Sequence, residues 1–379
     1  MIKNIIFVNI VILSLITSAC GGGNRASQFS DTDADTVKIE YASNIKILKY
    51  KDFTKVDLRN PWDTLKILHT YILTEKSKPL PENLPKGTVV RIPLNKALIY
   101  SSVHCSVFND MGTPNSIAGV CDLQFINLPF IRTRKEHNEL IDCGSSLNPD
   151  IEKIIDLNPD AILLSPFENN GGYGRIEKLN IPIIECADYL ETSPLGRAEW
   201  IKFFGLLTGK EKEASALFSK IEEEYNSLKN KAKLTSDRPT VITEMKYNSA
   251  WYVPGGKSTI ARLLEDAGAD YIFKYTEGSG SVPLSFETVL DKGHNADFWL
   301  IKYNQNTDKT YSEIASDYAP YCNFTAWKNK KIYACNTAYV KYYEESPFHP
   351  ERLLRNLISI FHPEIISNED TSYYTPLKQ

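Results

Sequence analysis

The stretch Lys210–Lys233, KEKEASALFSKIEEEYNSLKNKAK, decides how the rest of the chain is read. Ala214, Leu217, Phe218, Ile221, Tyr225 and Leu228 recur at spacings of three and four, the period of an amphipathic helix. At 1.5 Å per residue such a helix runs about 36 Å, far beyond a usual crossover helix. Upstream, Ser193-Pro194 supplies an N-cap and a proline at the first helical position. Leu195–Leu207 then reads helical until Thr208-Gly209 interrupts it. Residues 193–234 are therefore expected to form a stiff helical strut between two bodies.

On either side of the strut, short apolar runs alternate with helical patterns. Ala97–Tyr100, Ala161–Leu164 and Ile181–Glu185 precede it; Thr240–Thr243, Phe298–Ile301 and Lys331–Ala334 follow it. Short, continuously apolar strands separated by helices imply parallel sheets covered on both faces. The expected fold is α/β, with two three-layer α/β/α lobes of mainly parallel strands bridged by a long α-helix. The N-terminal lobe is read over 46–192 and the C-terminal lobe over 235–366, with a tail at 367–379. Residues 37–87 read as extra strands and loops packed on the first lobe.

The 379 residues are 42% hydrophobic and 24% charged, which excludes a fibrous or wholly disordered chain. With 43 Lys+Arg against 47 Asp+Glu the net charge is −4, so the basic surplus that nucleic acid demands is missing. At the start, Lys3 precedes the apolar run Ile5–Thr17. That run is shorter than the roughly 20 residues a spanning helix needs and reads as a signal segment, residues 1–19. It ends in Leu15-Ile16-Thr17-Ser18-Ala19-Cys20-Gly21, which resembles a bacterial lipobox and implies cleavage before Cys20 and lipid on its sulfur. Residues 20–45 are read as a flexible tether, because the Gly-, Ser- and Asp-rich start of this stretch buries little surface. The expected place is the periplasmic side of a bacterial membrane, held by the lipid alone.

Six cysteines remain: Cys105, Cys121, Cys143, Cys186, Cys322 and Cys335. Export permits disulfides, yet no spacing pairs them, and several in apolar runs read as small buried hydrophobes.

Two segments share one grammar. Asp150-Ile151-Glu152 opens a short helix that ends before Asn158-Pro159-Asp160 and the strand AILLS. Ser285-Phe286-Glu287 opens another, which ends before Asn295-Ala296-Asp297 and the strand FWLIK. In each, an acidic residue two positions after the N-cap complements the helix dipole by about 0.3–1 kcal/mol. Recurrence in both halves also fits a shared external partner.

With Gly119-Val120-Cys121-Asp122, IEKIIDLNPDAILLS, the strut, Pro254-Gly255-Gly256-Lys257-Ser258, LSFETVL, Lys328–Tyr333 and Pro350–Leu354, the chain resembles the class III periplasmic substrate-binding proteins of ABC importers for iron complexes and cobalamin. The likeness runs over about residues 88 to 365. It implies that Glu152 and Glu287 dock on arginines of a membrane permease. It also implies a small-molecule cargo, an iron complex or a corrinoid; no cofactor and no resident metal are expected. The segment before Thr88 exceeds what that family needs, and Ser101-Ser102-Val103-His104-Cys105 replaces its usual Ser- and Thr-rich ligand loop.

In open α/β sheets ligands bind beyond the carboxyl ends of the strands, and two such lobes facing each other make a cleft. Strand ends therefore nominate Ser102, His104, Phe167, Tyr173, Trp251, Tyr252, Tyr303, Tyr342 and Tyr343, with Tyr339 beside them. Aromatics suit a bulky organic chelate. Arg175 is the cation expected to meet a ligand carboxylate, with Lys257 second. Arg197 and Glu199 read as internal hinge charges. Gly255-Gly256-Lys257-Ser258 lacks the upstream glycine of a phosphate loop, and no G-x-S-x-G or H-E-x-x-H occurs. The six histidines are scattered, with only His104 at a strand end. The expected function is a monomeric binding lipoprotein for a ferric siderophore or related iron complex, with cobalamin or haem next. An extracytoplasmic enzyme acting on a chelate or glycan is the alternative class.

Overall fold

The computed structural model describes residues 29–169, 171–366 and 373–379. The signal segment and Cys20 lie outside them. Among the described residues three sheets of five strands organise the fold, with a smaller antiparallel sheet and a two-residue pairing beside them.

The N-terminal lobe is a parallel sheet in the order Ile183–Glu185, Ala161–Leu164, Ala97–Ile99, Ile117–Val120, Ile141–Asp142. Its strands are buried on both faces. Leu98, Ile162 and Leu164 point to a small core with Ile154, Leu157 and Ile176. Ala97, Ile99, Ala161 and Leu163 point the other way, into the main core. This period-two division fills both sides of the sheet, as βαβ crossovers require. Gly119 is needed for close packing, since a Cβ there would lie 2.7 Å from Leu157 Cδ2.

The C-terminal lobe repeats the plan. Asp270–Tyr271, Thr240–Thr243, Phe298–Tyr303 and Ile332–Asn336 run parallel, and Thr375–Pro376 closes the edge antiparallel. Phe298 packs on Phe361 on one face, and Trp299 packs on Phe324 on the other. Tyr373, Tyr374 and Leu377 are buried. The expected tail is thus corrected from residue 373 onward, because its apolar side chains complete the sheet.

The connector comprises three helices, Pro194–Glu199, Ile201–Thr208 and Glu211–Lys233. The long one touches both bodies. Near its start Glu211 pairs with Lys49 and Tyr41 Oη donates to Glu222 at 2.6 Å. Farther on, Glu224 accepts from Arg355 and the buried Tyr225 donates to Asp266, each at 2.7 Å.

The extra strands expected before Thr88 form a sheet of their own. Asp35–Thr36, Ile45–Lys49, Thr54–Arg59, Ile67–Glu75 and Thr88–Ile92 form a five-stranded sheet, antiparallel except for its last pair. It rests on the connector as well as on the lobe, with Tyr71 against Phe203. The flexible-tether reading is corrected over residues 31–45. Glu199 accepts the backbone N–H groups of Glu40, Tyr41 and Ala42, and Glu191 accepts those of Ser43 and Asn44. Two buried carboxylates thus take five consecutive amides and strap this segment across the connector.

Candidate functional site

Of the cavities that open where parallel strands end, two lie beside the contact between the lobes. In the N-terminal lobe, one of about 580 Å³ is lined by Tyr100, Ser101, Leu147, Phe167, Tyr173 and Arg175 among others. In the C-terminal lobe, one of about 420 Å³ is lined by Arg197, Glu244, Tyr252, Lys302, Tyr342 and Tyr343 among others. The helix Ser102–Asp110 begins one residue after Ser101 and packs against Tyr342–Glu345. Both cavities therefore flank the same contact between lobes.

The predicted residues divide. Phe167, 58% exposed, Tyr173 and Arg175 share the first cavity. Tyr173 Oη donates to Glu185 at 2.6 Å, while Arg175 forms no ion pair among the described residues. Tyr252, Tyr342 and Tyr343 share the second. Ser102 opens its helix beside the first cavity without lining it.

Five residues fall elsewhere. Trp251 is a correction: it is 0% exposed, donates from Nε1 to Thr243 O at 2.8 Å, and packs among Phe286, Trp299, Tyr321 and Phe324. It alternates with Tyr252 on the strand Ala250–Pro254, so one faces the core and the other the cavity. His104 is also buried, with Nε2 2.8 Å from Asp188 Oδ1. It sits on the inner face of its helix and lines neither cavity. Tyr303 and Tyr339 line a separate hollow near Asn336 and Lys378. Lys257 is exposed and pairs with Glu277 outside both cavities. The amides of Gly255, Gly256 and Lys257 donate to Gly280 O, Thr276 O and Gly278 O, so none is left to hold a phosphate.

Sequence reasoning missed Glu244, Lys302 and the cavity face of Arg197. Lys302 forms a buried ion pair with Glu244, and its ammonium lies 5.3 Å over the Tyr342 ring. Burial acts against the charged lysine, but Glu244 overcomes it and pushes its pKa up. Arg197 Nε donates to Asp188 Oδ2 at 3.0 Å. Burial tends to raise the Asp188 carboxyl, yet His104 and Arg197 hold it below the usual range. The only signal for these residues was position: Glu244 follows its strand by one residue, and Lys302 lies near the end of its own.

Glu152 and Glu287 stand where the repeat put them. Asp150 accepts from Lys153 N and Ser285 from Thr288 N, capping the two short helices. Each glutamate occupies the second helical position, exposed, with no ion pair among the described residues. The six cysteines among the described residues are unpaired; five are buried, and burial pushes the thiols of Cys121 and Cys335 up to about 12. Among the described residues no group of three or more His, Cys, Asp or Glu is placed to hold a metal ion, and no helix is long and apolar enough to cross a membrane.

Two lobes of parallel strands joined by a long helical connector, with cavities at their strand ends, define the class III architecture of substrate-binding proteins. The family model described as periplasmic binding protein matches residues 129–339, and the chain belongs to that family. It is a binding protein and not an enzyme. An uncharacterised lipoprotein of Methanocaldococcus jannaschii is 29% identical over 360 residues, covering 89% of this chain and 84% of its own. Solved structures share the fold at low identity. The periplasmic haem-binding protein HutB of Vibrio cholerae aligns at 15% identity with a TM-score of 0.56, covering 71% of this chain and 99% of its own. The TroA-like periplasmic binding protein FepB of Veillonella parvula aligns at 18% and 0.55, covering 76% and 93%. S. aureus IsdE, complexed with haem, aligns at 17% and 0.54, covering 70% and 98%. Such structures are spanned almost whole, while about a quarter or more of this chain lies outside the likeness.

Proposed function

We propose that this chain is a lipid-anchored, monomeric binding protein that captures a metal chelate between its lobes and hands it to an ABC permease. A ferric siderophore or related iron complex is the first cargo, and cobalamin or haem the second. The observation that carries the reading is the pair of cavities, each at the carboxyl ends of a parallel sheet and both beside one inter-lobe contact. Their linings combine aromatic rings, hydroxyls and an arginine apiece, which suits an organic chelate with polar edges. Phe167, Tyr173, Arg175, Tyr252, Tyr342 and Tyr343 contact it, with Ser102 at the rim.

Glu152 and Glu287 dock the two lobes on permease arginines. Their exposure and freedom from internal pairing support this, since charge-assisted pairs set register and on-rate in transient docking. Anchoring at Cys20 on the outer side of the membrane is supported by the lipobox-like run and by the lipoprotein relative.

Purification from the native cell without added ligand tests the function. A visible absorption band with a matching metal-chelate mass is expected. A colourless protein that neither retains nor takes up any iron complex, haem or corrinoid contradicts it.

A further inference from the structure

We infer that His69, on the added N-terminal sheet, is a positioning residue for cargo binding: it acts through Glu185 to fix Tyr173 at the wall of the N-terminal-lobe cavity. This rests on the chelate-binding reading above. It extends the binding machinery to a sheet that lies outside the family match at 129–339.

His69 stands on the strand Ile67–Glu75. Its ring lies flat on that of Tyr71, with centroids 4.4 Å apart. Its Nε2 is 2.8 Å from Thr88 Oγ1 on the neighbouring strand. Held at one face and one edge, the ring brings Nδ1 to 3.2 Å from Glu185 Oε2. Tyr71 adds a second grip on the same residue, its Oη accepting from Glu185 N at 2.8 Å. The added sheet therefore holds both the backbone and the side chain of Glu185, where the strand Ile183–Glu185 ends.

Glu185 is buried, and its two oxygens are divided. Oε2 faces His69, while Oε1 accepts from Tyr173 Oη at 2.6 Å. A hydrogen bond to a carboxylate is roughly twice as strong as one between neutral groups. Tyr173 lines the cavity from a loop between Gly172 and Gly174, whose φ values are 100° and 63°. Glycines on both sides give that backbone freedom, and the Glu185 bond fixes the far end of the ring. A buried carboxylate that loses a partner turns away or takes up a proton, and either change moves the Tyr173 hydroxyl. His69 itself does not line the cavity, so its influence on cargo passes through this chain of contacts.

Equilibrium dialysis of the purified protein tests this with ferric dicitrate, a ferric tris-catecholate, a ferric tris-hydroxamate, haem and cyanocobalamin, the tightest-binding of them serving in a double-mutant cycle. Tyr173→Phe is expected to lower affinity about fivefold and His69→Phe about threefold. The double variant should lose no more than Tyr173→Phe alone, because the hydroxyl through which His69 acts is already gone. His69→Gln, which keeps an N–H for Glu185, should restore affinity to within about twofold of the native protein. Thr70→Val removes a 2.7 Å hydrogen bond to Asp57 from the opposite face of the same strand, so it lowers the melting temperature without changing affinity. Losses that add in the double variant, native affinity in either single variant, a His69→Gln protein no better than His69→Phe, or an equal loss in Thr70→Val overturns the inference while the chelate-binding reading stands. Binding of no probe overturns both. His69→Ala takes the place of His69→Phe in the cycle if the latter does not fold.

Discussion

Asp160 and Asp297 do the same work in the two lobes. Each stands immediately before a central strand and ties down the start of the strand beside it. Asp160 accepts from Asn95 N at 2.7 Å and Lys96 N at 2.9 Å, and Asp297 from Thr240 N at 2.8 Å. The repeat seen in the sequence is therefore an architectural one first: a capped helix, then a carboxylate that sets the register of a parallel pair. Asp160 also accepts from Lys76 at 2.7 Å, which binds the extra sheet to the lobe.

Asp160→Ala is expected to cost roughly 1–2 kcal/mol, because two strand-end amides and a lysine lose a partly solvated carboxylate. Urea denaturation measures it. Burial tends to raise the Asp160 carboxyl, but Lys76 and the two amides lower it overall. A depressed carboxylate contributes stability above its unfolded pKa and loses it as pH falls, so the variant's deficit should shrink under acid.

His349 gives the opposite pH dependence. Its ring nitrogens lie 3.1 Å from Asp110 on the first lobe and 2.9 Å from Glu351 on the second. Burial alone would lower its pKa, but the two carboxylates raise it from 6.5 to about 9. A raised histidine contributes its stability in full below its unfolded pKa and loses it as pH rises through the folded value. Thermal melts should show a decline between pH 6.5 and about 9, on the order of 3 kcal/mol. His349→Gln should flatten that slope; an unchanged slope assigns it to other groups.

Trp251 and Tyr252 separate stability from binding. Trp251→Ala removes a wholly buried indole and should cost about 3–5 kcal/mol. Its milder neighbour Trp251→Phe should keep ligand affinity. Tyr252→Ala should leave the melting temperature within a degree or two yet weaken chelate binding, read by dialysis. Reversed effects would exchange their assignments.

Glu199→Ala should cost about 3–5 kcal/mol, since a fully buried carboxylate that serves three amides and Lys202 is removed. Hydrogen exchange at Glu40, Tyr41 and Ala42 should speed up before the rest of the protein opens. Protection equal to the native protein would show that the strap is held by something else.

Much of this was legible because it depends on local pattern. The connector has a 3.6 period, the strands are continuous apolar runs, and both caps are short-range motifs. Of the first sheet only the presence of extra strands was legible: its strands mix charges with apolar residues, so their bounds and their largely antiparallel order did not stand out, although each pairs with its neighbour in sequence. Strand facing was also hidden. Ala250-Trp251-Tyr252 offers two adjacent aromatics, and only the register with Ser281–Leu284 decides which one enters the core. His104 was misplaced for a similar reason: the residues after a strand end turn into a helix, and the helix face sends its ring inward. The Arg197–Asp188 and Lys302–Glu244 pairs join residues that share no motif.

Docking and capture can be uncoupled. Glu152→Ala with Glu287→Ala should abolish uptake of the chelate by cells carrying the permease while leaving dialysis affinity intact. Uptake at the native rate would remove both glutamates from the docking role.

The most direct measurement is stoichiometric binding of a radio-iron chelate to the purified chain, repeated with Phe167→Ala and Tyr252→Ala combined. The account predicts one chelate per chain, with affinity lowered at least tenfold when both lobes lose their aromatic contact. Retained native affinity in that double variant, or several weak sites in place of a single one, would contradict a cargo held between the lobes.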